Sequence, residues 1–535
     1  MSDARRLAAI DVGSNSIRLV VAEVQEDGEY RVLDEERAMT RLGQGLLETS
    51  RLAPDTMGRT LEVIGKMKKI ADGFGVAELR AVATSAVREA ENGETFRREA
   101  WRRHRVRIEV ISPDEEARLA FLSAIRRFNL EGQSIAVADI GGGSLEVVLA
   151  AGSVVDRVHP LELGAVRLTE QFVRSDPLKR KHWKALKRAI DGALDAEIGT
   201  PPFTVDVIVG SGGTFSALGG MIRHEREGRE GNPHGYTVTR AEVTRLLARL
   251  LELPLDERKQ LPGLPPARAD IIVAGAAAVV RLAKHLRAGH IIVNDGGVRD
   301  GLMLSMLAEL PGTPAAPAPA TGRLDAALAF ARKCRSNERH GEHVAGLAGE
   351  LFDALARRHK LPAESRELLV ASALLHDVGF LINHQGHHKH AYHLIMHSDL
   401  AGFSAREIEV IANVVRYHRR ALPRKKHANF RRLTQDDRRL VRKLAGILRI
   451  AVALNRSHTQ VITGLRAVVR RDRVRVTAVA NREPVVELWD VRRKTALFEQ
   501  AFKARVTVRW RPDAEGAERR PIRLVRGSRR AAGDR

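Results

Sequence analysis

A chain of 535 residues with 44% hydrophobic residues can bury the cores of three or four domains, and it is too apolar for a disordered polymer. Its 89 basic against 66 acidic residues give a net charge of +23, which reflects either a polyanionic partner or an arginine-rich proteome; with 4% aromatics and no zinc-finger spacing, nucleic acid is the less supported partner. One cysteine, Cys334, excludes a disulfide framework, and the longest apolar stretch, Ile271 to Val280, is about half a membrane span, so no transmembrane segment and a cytoplasmic location are expected, with peripheral attachment at the inner membrane left open.

The first recognisable word is LAAIDVGSNSIRLVVAEV, an apolar strand ending at Asp11, a glycine and serine turn, and a second apolar strand. A helix is predicted around Asp55 to Phe74 and a strand over Leu79 to Thr84. In ATSAVREAENG a helix starts at the strand end, which puts Arg88 in its first turns; arginine there opposes the helix dipole and suits an anion, unless it simply faces solvent. ISPDEEARLAFLSAI reads as a capped helix: Ser112 caps, Pro113 opens, and Glu115 folds back onto the Ser112 amide. Glu115 is then occupied, and Glu116 is left as the free carboxylate or as an exposed first-turn Glu favouring the dipole.

IAVADIGGGSLEVVLA, Ile135 to Ala150, repeats the opening hairpin residue for residue: Asp139 matches Asp11, Gly141 matches Gly13 and Ser144 matches Ser16. Bare amides at Gly141, Gly142 and Gly143 form a nest for an oxyanion, and Asp139 is placed to hold a hydrated divalent cation against it. A tight hairpin alone can carry the same glycines. The second copy is what favours a phosphate chain gripped between two similar lobes. Glu146 stands two residues beyond Ser144, at the mouth of the loop. PLELGAVRLTE leads into a helix, and VIVGSGGTFSALG is a strand, a turn containing Gly212 and Gly213, and a helix whose N-terminus suits a phosphate. Arg268 lies in PPARAD, and Asp295, Arg299 and Asp300 lie in IIVNDGGVRDGL.

In this order, DVGSNS, ATSAVREAENG, SPDEEARL, DIGGGSLE, LELGAVRLTE, GSGGT and NDGGVRDG resemble the exopolyphosphatase and guanosine pentaphosphate phosphohydrolase family, over residues 7 to about 305. The resemblance implies an α/β, duplicated ribonuclease-H-like fold of the kind shared by actin, Hsp70-type ATPases and sugar kinases, with lobe I at 1–125, lobe II at 126–310 and the active site between them. It implies Glu116 as the catalytic carboxylate and Glu146 as the acid that orients water. It makes Asp11 and Asp139, with the Gly141 to Ser144 turn, the phosphate and Mg2+ loop, and Ser14, Asn15, Arg18, Arg88, Gly212, Gly213 and Arg268 the grip on the substrate. That substrate is inorganic polyphosphate, losing its terminal phosphate, or alternatively pppGpp; a homodimer is expected, and a non-enzymatic polyanion sensor is the rival of another class. Leu145 departs from the family, which has Thr there.

PGTPAAPAPATG, residues 311–322, reads as a linker, and the chain beyond it as helical to about 464. His340 in NERH, with His376 and Asp377 in LLHDVG, resembles the HD superfamily of metal phosphohydrolases; Val452 and Asn455 stand where acids are expected, so a degenerate, inactive HD-like site is expected. Six histidines between His384 and His397 are read as packing and surface, and the basic clusters between Arg416 and Arg449 as solvated faces or a polyanion groove. VTAVA, VVELWD and ARVTVRW suggest a small terminal sheet over 465–510, ahead of a disordered basic tail at 511–535.

Overall fold

The computed structural model describes residues 5–25, 29–228, 231–310, 322–383, 385–398, 400–470 and 472–512. Nearly all of the expected linker, His384, and the expected tail from 513 onward lie outside the described residues. The chain divides into two compact units, Met1–Pro317 and Ala318–Arg535.

The first unit contains two sheets of matching topology. In the first, β1 (Arg6–Val12), β2 (Ser16–Val24) and β3 (Tyr30–Met39) form an antiparallel meander; helix α1 (Pro54–Gly73) then leads to β4 (Glu78–Ala83), parallel to β1. The short helix α2 (Ser85–Glu89) and α3 (Gly93–His104) precede β5 (Ile108–Val110), giving the order β3-β2-β1-β4-β5. Helix α4 (Pro113–Arg127) crosses to the second sheet, where β6 (Ser134–Ile140), β7 (Leu145–Ala151) and β8 (Val154–Leu161) form the same meander. Helices α5 (Ala165–Phe172) and α6 (Arg180–Glu197) lead to β9 (Val207–Ser211), parallel to β6; α7 (Gly213–Glu227), β10 (Thr237–Thr239) and α8 (Arg240–Glu252) follow. Then come α9 (Ile272–His285), β11 (His290–Val293) and α10 (Val298–Ala308), and the order is β10-β11-β9-β6-β7-β8. Apart from the edge strand β10, the second sheet copies the first, so the duplication read from the two hairpins extends to whole lobes.

The strands at the centre of each sheet are apolar on both faces because helices cover both sides. Ile10, Leu19, Leu61, Ile64 and Phe96 form one core, and Leu149, Ile208, Phe215 and Ile272 belong to another. The two bridging helices exchange partners. Ala117, Phe121 and Ala124 of α4 pack on Val137 and Val148 of the second sheet, while Met303 and Met306 of α10 pack with Leu7, Ala9 and Val20 of the first. A boundary at 125/126 therefore falls inside α4, and the end of lobe II completes the core of lobe I. Arg127 joins the two helices, at 2.6 Å from Asp295 and 2.7 Å from Asp300. Those two acids are thus engaged in structural ion pairs.

The second unit begins with the helices α11 (Arg323–Lys333), α12 (Glu338–Ala354), α13 (Glu364–Leu375), α14 (His387–Met396), α15 (Ala405–Arg416) and α16 (Gln435–Ala453). A three-stranded sheet of order β12-β13-β14 follows, from β12 (Ile462–Val469), β13 (Arg473–Ala480) and β14 (Arg505–Pro512). Between β13 and β14 lie α17 (Val485–Lys494) and α18 (Ala496–Phe502). VVELWD is thus helical rather than a strand: Leu488 and Val491, three apart, are buried on one side while Val485, Val486 and Trp489 are exposed. No helix among the described residues is long and apolar enough to cross a membrane.

Candidate active site

The two hairpin tips face each other. Each closes in the same way, Gly13 N–H donating to Ser16 O at 3.1 Å and Gly141 N–H to Ser144 O at 3.0 Å. A Cβ on Gly142 would stand 3.0 Å from Ser14 Cβ and 3.3 Å from Asn15 N, so the backbones of the two turns meet at van der Waals distance. Ser14 Oγ lies 2.8 Å from Ser85 Oγ, which ties the first tip to the start of α2. The cleft that results is lined by Asp11, Ser14, Asn15, Arg18, Glu116 and Asp139, and also by Gly141, Gly142, Ser144, Glu146, Gly212, Gly213 and Arg268.

Closing the hairpins consumes the Gly13 and Gly141 amides, so the anion nest is built from other groups. Among the described residues the amides of Ser14, Asn15, Gly142 and Gly143 donate to no backbone carbonyl. Gly143 faces away from the main cleft, with the position of its absent Cβ 2.3 Å from Ser85 Oγ, and its carbonyl accepts from Arg167 Nε at 2.9 Å. The second lobe adds the N-terminus of α7. Gly212 has φ +93° and leaves no room for a side chain, since a Cβ would come within 2.4 Å of Ile140 O and 2.9 Å of Asp139 Oδ1. Arg268 covers the next residue so closely that a Cβ on Gly213 would be 1.9 Å from its Cζ. Burial first, then the charges of Arg37 and Arg18, push the Arg268 guanidinium down to about 9. Among the described residues Arg18, Arg37 and Arg268 form no ion pair within 4 Å, although Arg18 acts on Asp11 and Asp139 and Asp270 acts on Arg268 at longer range; a guanidinium beside a helix N-terminus suits an anion bound between them.

Glu116 is buried in the first turn of α4. The local reason is the cap: Ser112 Oγ accepts from Glu115 N–H at 3.1 Å, which starts the helix so that Glu116 turns into the cleft. Only half of the expected capping box forms, because the Glu115 side chain pairs with Arg118 at 2.8 Å instead of returning to the Ser112 amide. Arg88, in the last turn of the five-residue α2, donates from Nη1 to Ile111 O at 2.8 Å and to Glu116 Oε2 at 3.2 Å. It positions the carboxylate and does not itself line the cleft.

Four acids share this space, and burial dominates all of them. It pushes Glu116 up to about 8 against the lowering effect of Arg88, with Asp11 and Asp139 adding to the rise. Glu146 is raised well above the ordinary carboxylate range by burial and then by Glu116. Asp139 is pushed up to about 6 by burial, opposed by Arg18 and reinforced by Asp11; Asp11 is raised by burial as well. Asp11 Oδ1 and Glu146 Oε1 are buried without a hydrogen-bond partner. Uncompensated oxygens of this kind are what a hard divalent cation coordinates, so the residues present fit Mg2+. Sequence reasoning missed Ser85, Thr84 and Gly297 in the cleft wall, and Arg37, which stands directly opposite Arg18 in the β2–β3 ladder. The word ATSAVREAENG that placed Arg88 contained Ser85, but nothing in it showed that the hydroxyl would meet Ser14.

In the second unit, His340, His376 and Asp377 also come together, with His340 Nε2 3.2 Å from His376 Nε2. His387 Nε2 approaches Asp377 Oδ1 at 3.5 Å, and His418 is buried beside it. Neither His387 nor His418 was singled out as a member of this cluster from sequence. Asn455, in a place where an acid was expected, donates to His340 Nδ1 at 2.8 Å.

Two lobes of matching topology closing on a nest of amides, arginines and buried acids define a phosphate-handling α/β enzyme class. The sequence pattern of the Ppx/GppA phosphatase family matches residues 20–310, and that of Ppx/GppA phosphatase, domain III, matches residues 323–483. The chain belongs to the Ppx/GppA family, in its long form. It is 32% identical over 314 residues to exopolyphosphatase 2 of Mycobacterium tuberculosis, covering 56% of this chain and 98% of that one. Exopolyphosphatase 1 of Mycobacterium bovis is 30% identical over 315 residues, covering 58% of this chain and 90% of the other. Among solved structures, an Aquifex aeolicus Ppx/GppA family member is 32% identical with a TM-score of 0.50, covering 57% of this chain and 98% of its own. An exopolyphosphatase from Cytophaga hutchinsonii is 25% identical with a TM-score of 0.54, covering 58% and 99%.

Proposed function

We propose that the protein is an exopolyphosphatase, hydrolysing the terminal phosphoanhydride bond of inorganic polyphosphate and releasing orthophosphate. The observation that carries this reading is the arrangement of Glu116 and Glu146 in one cleft with the two hairpin tips and with the guanidinium groups of Arg18 and Arg268. Relatives named exopolyphosphatase, at 30 to 32% identity, support it.

In this mechanism the amides of Ser14, Asn15 and Gly142, with the Ser14 and Ser144 hydroxyls, hold the terminal phosphoryl group. Arg18 and Arg268 neutralise the phosphates behind it. Glu116, kept in place by Arg88, takes a proton from the attacking water, and Glu146 orients that water in line with the bridging oxygen. The water oxygen bonds to phosphorus, the bridging bond breaks, and the shortened chain leaves with its charge held by the arginines. A Mg2+ ion held by Asp11 and Asp139 would supply charge neutralisation of the transferring group. A raised proton affinity at Glu116 matches the task of a base near neutral pH.

The pppGpp 5′-phosphohydrolase reading needs the same chemistry and the same residues. The two are separated by measuring phosphate release from long-chain polyphosphate, pppGpp and ATP side by side, with and without Mg2+. Faster release from polyphosphate at equal concentration is expected. Preference for pppGpp would reverse the order, and absence of release from all three would leave a polyanion-binding sensor. The helical unit is read as HD-like and without hydrolytic activity, because Val452 and Asn455 replace the acids that pattern requires. In solution the protein is read as a homodimer.

A further inference from the structure

The second unit ends in a sheet that is covered on one side only. Along β13, Val474, Val476, Ala478 and Ala480 are buried on the side where α12, α17 and α18 pack, while Arg473 and Arg475 are exposed and Thr477 and Val479 half-buried. Register carries this alternation to both neighbours. On β12, Val468 lies beside Arg475 and Arg466 beside Thr477; on β14, Arg505, Thr507, Arg509 and Arg511 lie beside Arg473, Arg475, Thr477 and Val479. Arg466, Val468 and those four β14 residues are all exposed. One sheet face therefore presents Arg466, Arg473, Arg475, Arg505, Arg509 and Arg511 to solvent, and among the described residues it carries no acid.

The fold itself makes no use of this charge. Of the six arginines, Arg473 is the one with a carboxylate within 4 Å among the described residues, Asp472 at 3.5 Å in the preceding turn. The acids of the neighbouring helices are engaged elsewhere: Glu487 accepts from the Ser457 amide and hydroxyl, Asp490 pairs with Lys494 at 2.6 Å, and Glu499 accepts from the Val506 N–H at 3.2 Å. Arg473 stands directly opposite Arg505, and like charges across a ladder destabilise it. The sequence beyond Pro512 has the same sign, with seven Arg against four Asp and Glu in residues 513–535. What would balance the face is an anion from outside the chain.

We propose that this face docks on double-stranded nucleic acid, through the phosphate backbone and without reading sequence. The outer strands β12 and β14 are two inter-strand spacings apart, about 10 Å. Arg466 and Arg509, level with each other across Thr477, thus belong to two cationic rows whose separation suits the phosphate strands on either side of a groove roughly 6 to 12 Å wide. Inorganic polyphosphate is a single line of charge and would leave one row unused. Attachment to a membrane surface takes apolar or aromatic side chains as well as charge, and on this face Val468 is the exposed apolar one. The low aromatic content, which argues against base stacking, is no obstacle to phosphate contacts, because they need no ring.

The test uses the full-length chain and a fluorescein-labelled duplex of mixed sequence, about 20 base pairs long, followed by anisotropy between about 50 and 200 mM salt. Micromolar binding at low salt is expected, with log Kobs falling against log salt at a slope of about −4. A duplex of unrelated sequence should bind alike. Arg475→Gln combined with Arg509→Gln, at unchanged far-UV circular dichroism, should weaken binding about tenfold or more at about 100 mM salt and flatten the slope by about 2. Lys184→Gln combined with Arg188→Gln removes the same charge from exposed positions of α6 and should change the affinity by less than about twofold. Equal losses in the two double variants would reduce the effect to net charge and overturn the proposal. So would absence of binding at about 50 mM salt, or tighter binding through Arg475 and Arg509 to a single strand, to vesicles containing anionic lipid or to long-chain polyphosphate. Phosphate release is not the readout, so failure here leaves the cleft reading untouched.

Discussion

Replacing Glu116 by Gln removes an acid whose proton affinity the fold raises, and the consequence is visible in stability as well as in turnover. Glu116 has an ordinary pKa of 4.5 and is pushed up to about 8 in the folded chain, chiefly by burial. Between those two values the native state binds a proton that the unfolded chain has released. The stability that this group contributes is therefore fully present below 4.5 and is lost as pH rises toward 8. A shift of that size corresponds to a ceiling of about 5 kcal/mol. Glu146 shares the same space and is raised by Glu116, so part of the cost passes between them; about 2 kcal/mol is the reasonable expectation for one substitution. Gln has the same shape and carries no charge. Glu116→Gln should therefore match the wild type at pH 5 and melt roughly 4 to 8 °C higher at pH 8, measured by circular dichroism in EDTA. Added Mg2+ should narrow the gap by compensating the acids of the wild type. A melting difference independent of pH between 5 and 9 would refute the claim that burial holds a proton on Glu116. The same variant should lose phosphate release about a hundredfold or more.

Arg88→Gln removes the cation that lowers the Glu116 pKa, so the acid limb of kcat/KM against pH should move to higher pH; an unchanged limb would separate Glu116 from the titrating base. Gly213→Ala places a methyl 1.9 Å from Arg268 Cζ and should reduce kcat/KM about tenfold or more by displacing that guanidinium. The double variant with Arg268→Ala should be no worse than Arg268→Ala alone, and additive losses would contradict this route. Cys334 is buried and its thiol is pushed up to about 12, so a thiol reagent should find it only after unfolding in guanidinium; fast labelling of the native chain would contradict its packing.

Much of the site was legible before any coordinates. A hairpin tip is a local object: glycine at a close approach, an Asp at the end of an apolar strand and a serine to close the turn follow from a few adjacent residues. Their repetition at Asp11 and Asp139 required only comparison of the chain with itself. The Ser112 cap was equally local, and it correctly left Glu116 rather than Glu115 to face the cleft.

What the tertiary structure decided was set by residues far apart in the chain. Arg88 and Glu116 are 28 positions apart and meet only because the end of α2 and the start of α4 follow the neighbouring parallel strands β4 and β5. The exchange of α4 and α10 between lobes, and the use of Asp295 and Asp300 by Arg127, depend on which sheet face each helix finds. VVELWD alternates like a strand and became a helix because one side of it could be buried. The approach of His387 to Asp377, and of Arg419 to His387, arises from helix packing that no short pattern encodes. Sequence by itself determined the chemistry of each turn, since backbone conformation and hydrogen-bonding capacity belong to neighbouring residues. The proton affinities, the charge balance and the spacing of the His and Asp side chains in the helical unit were left to the fold, because burial and Coulomb interaction act between groups that only folding brings together.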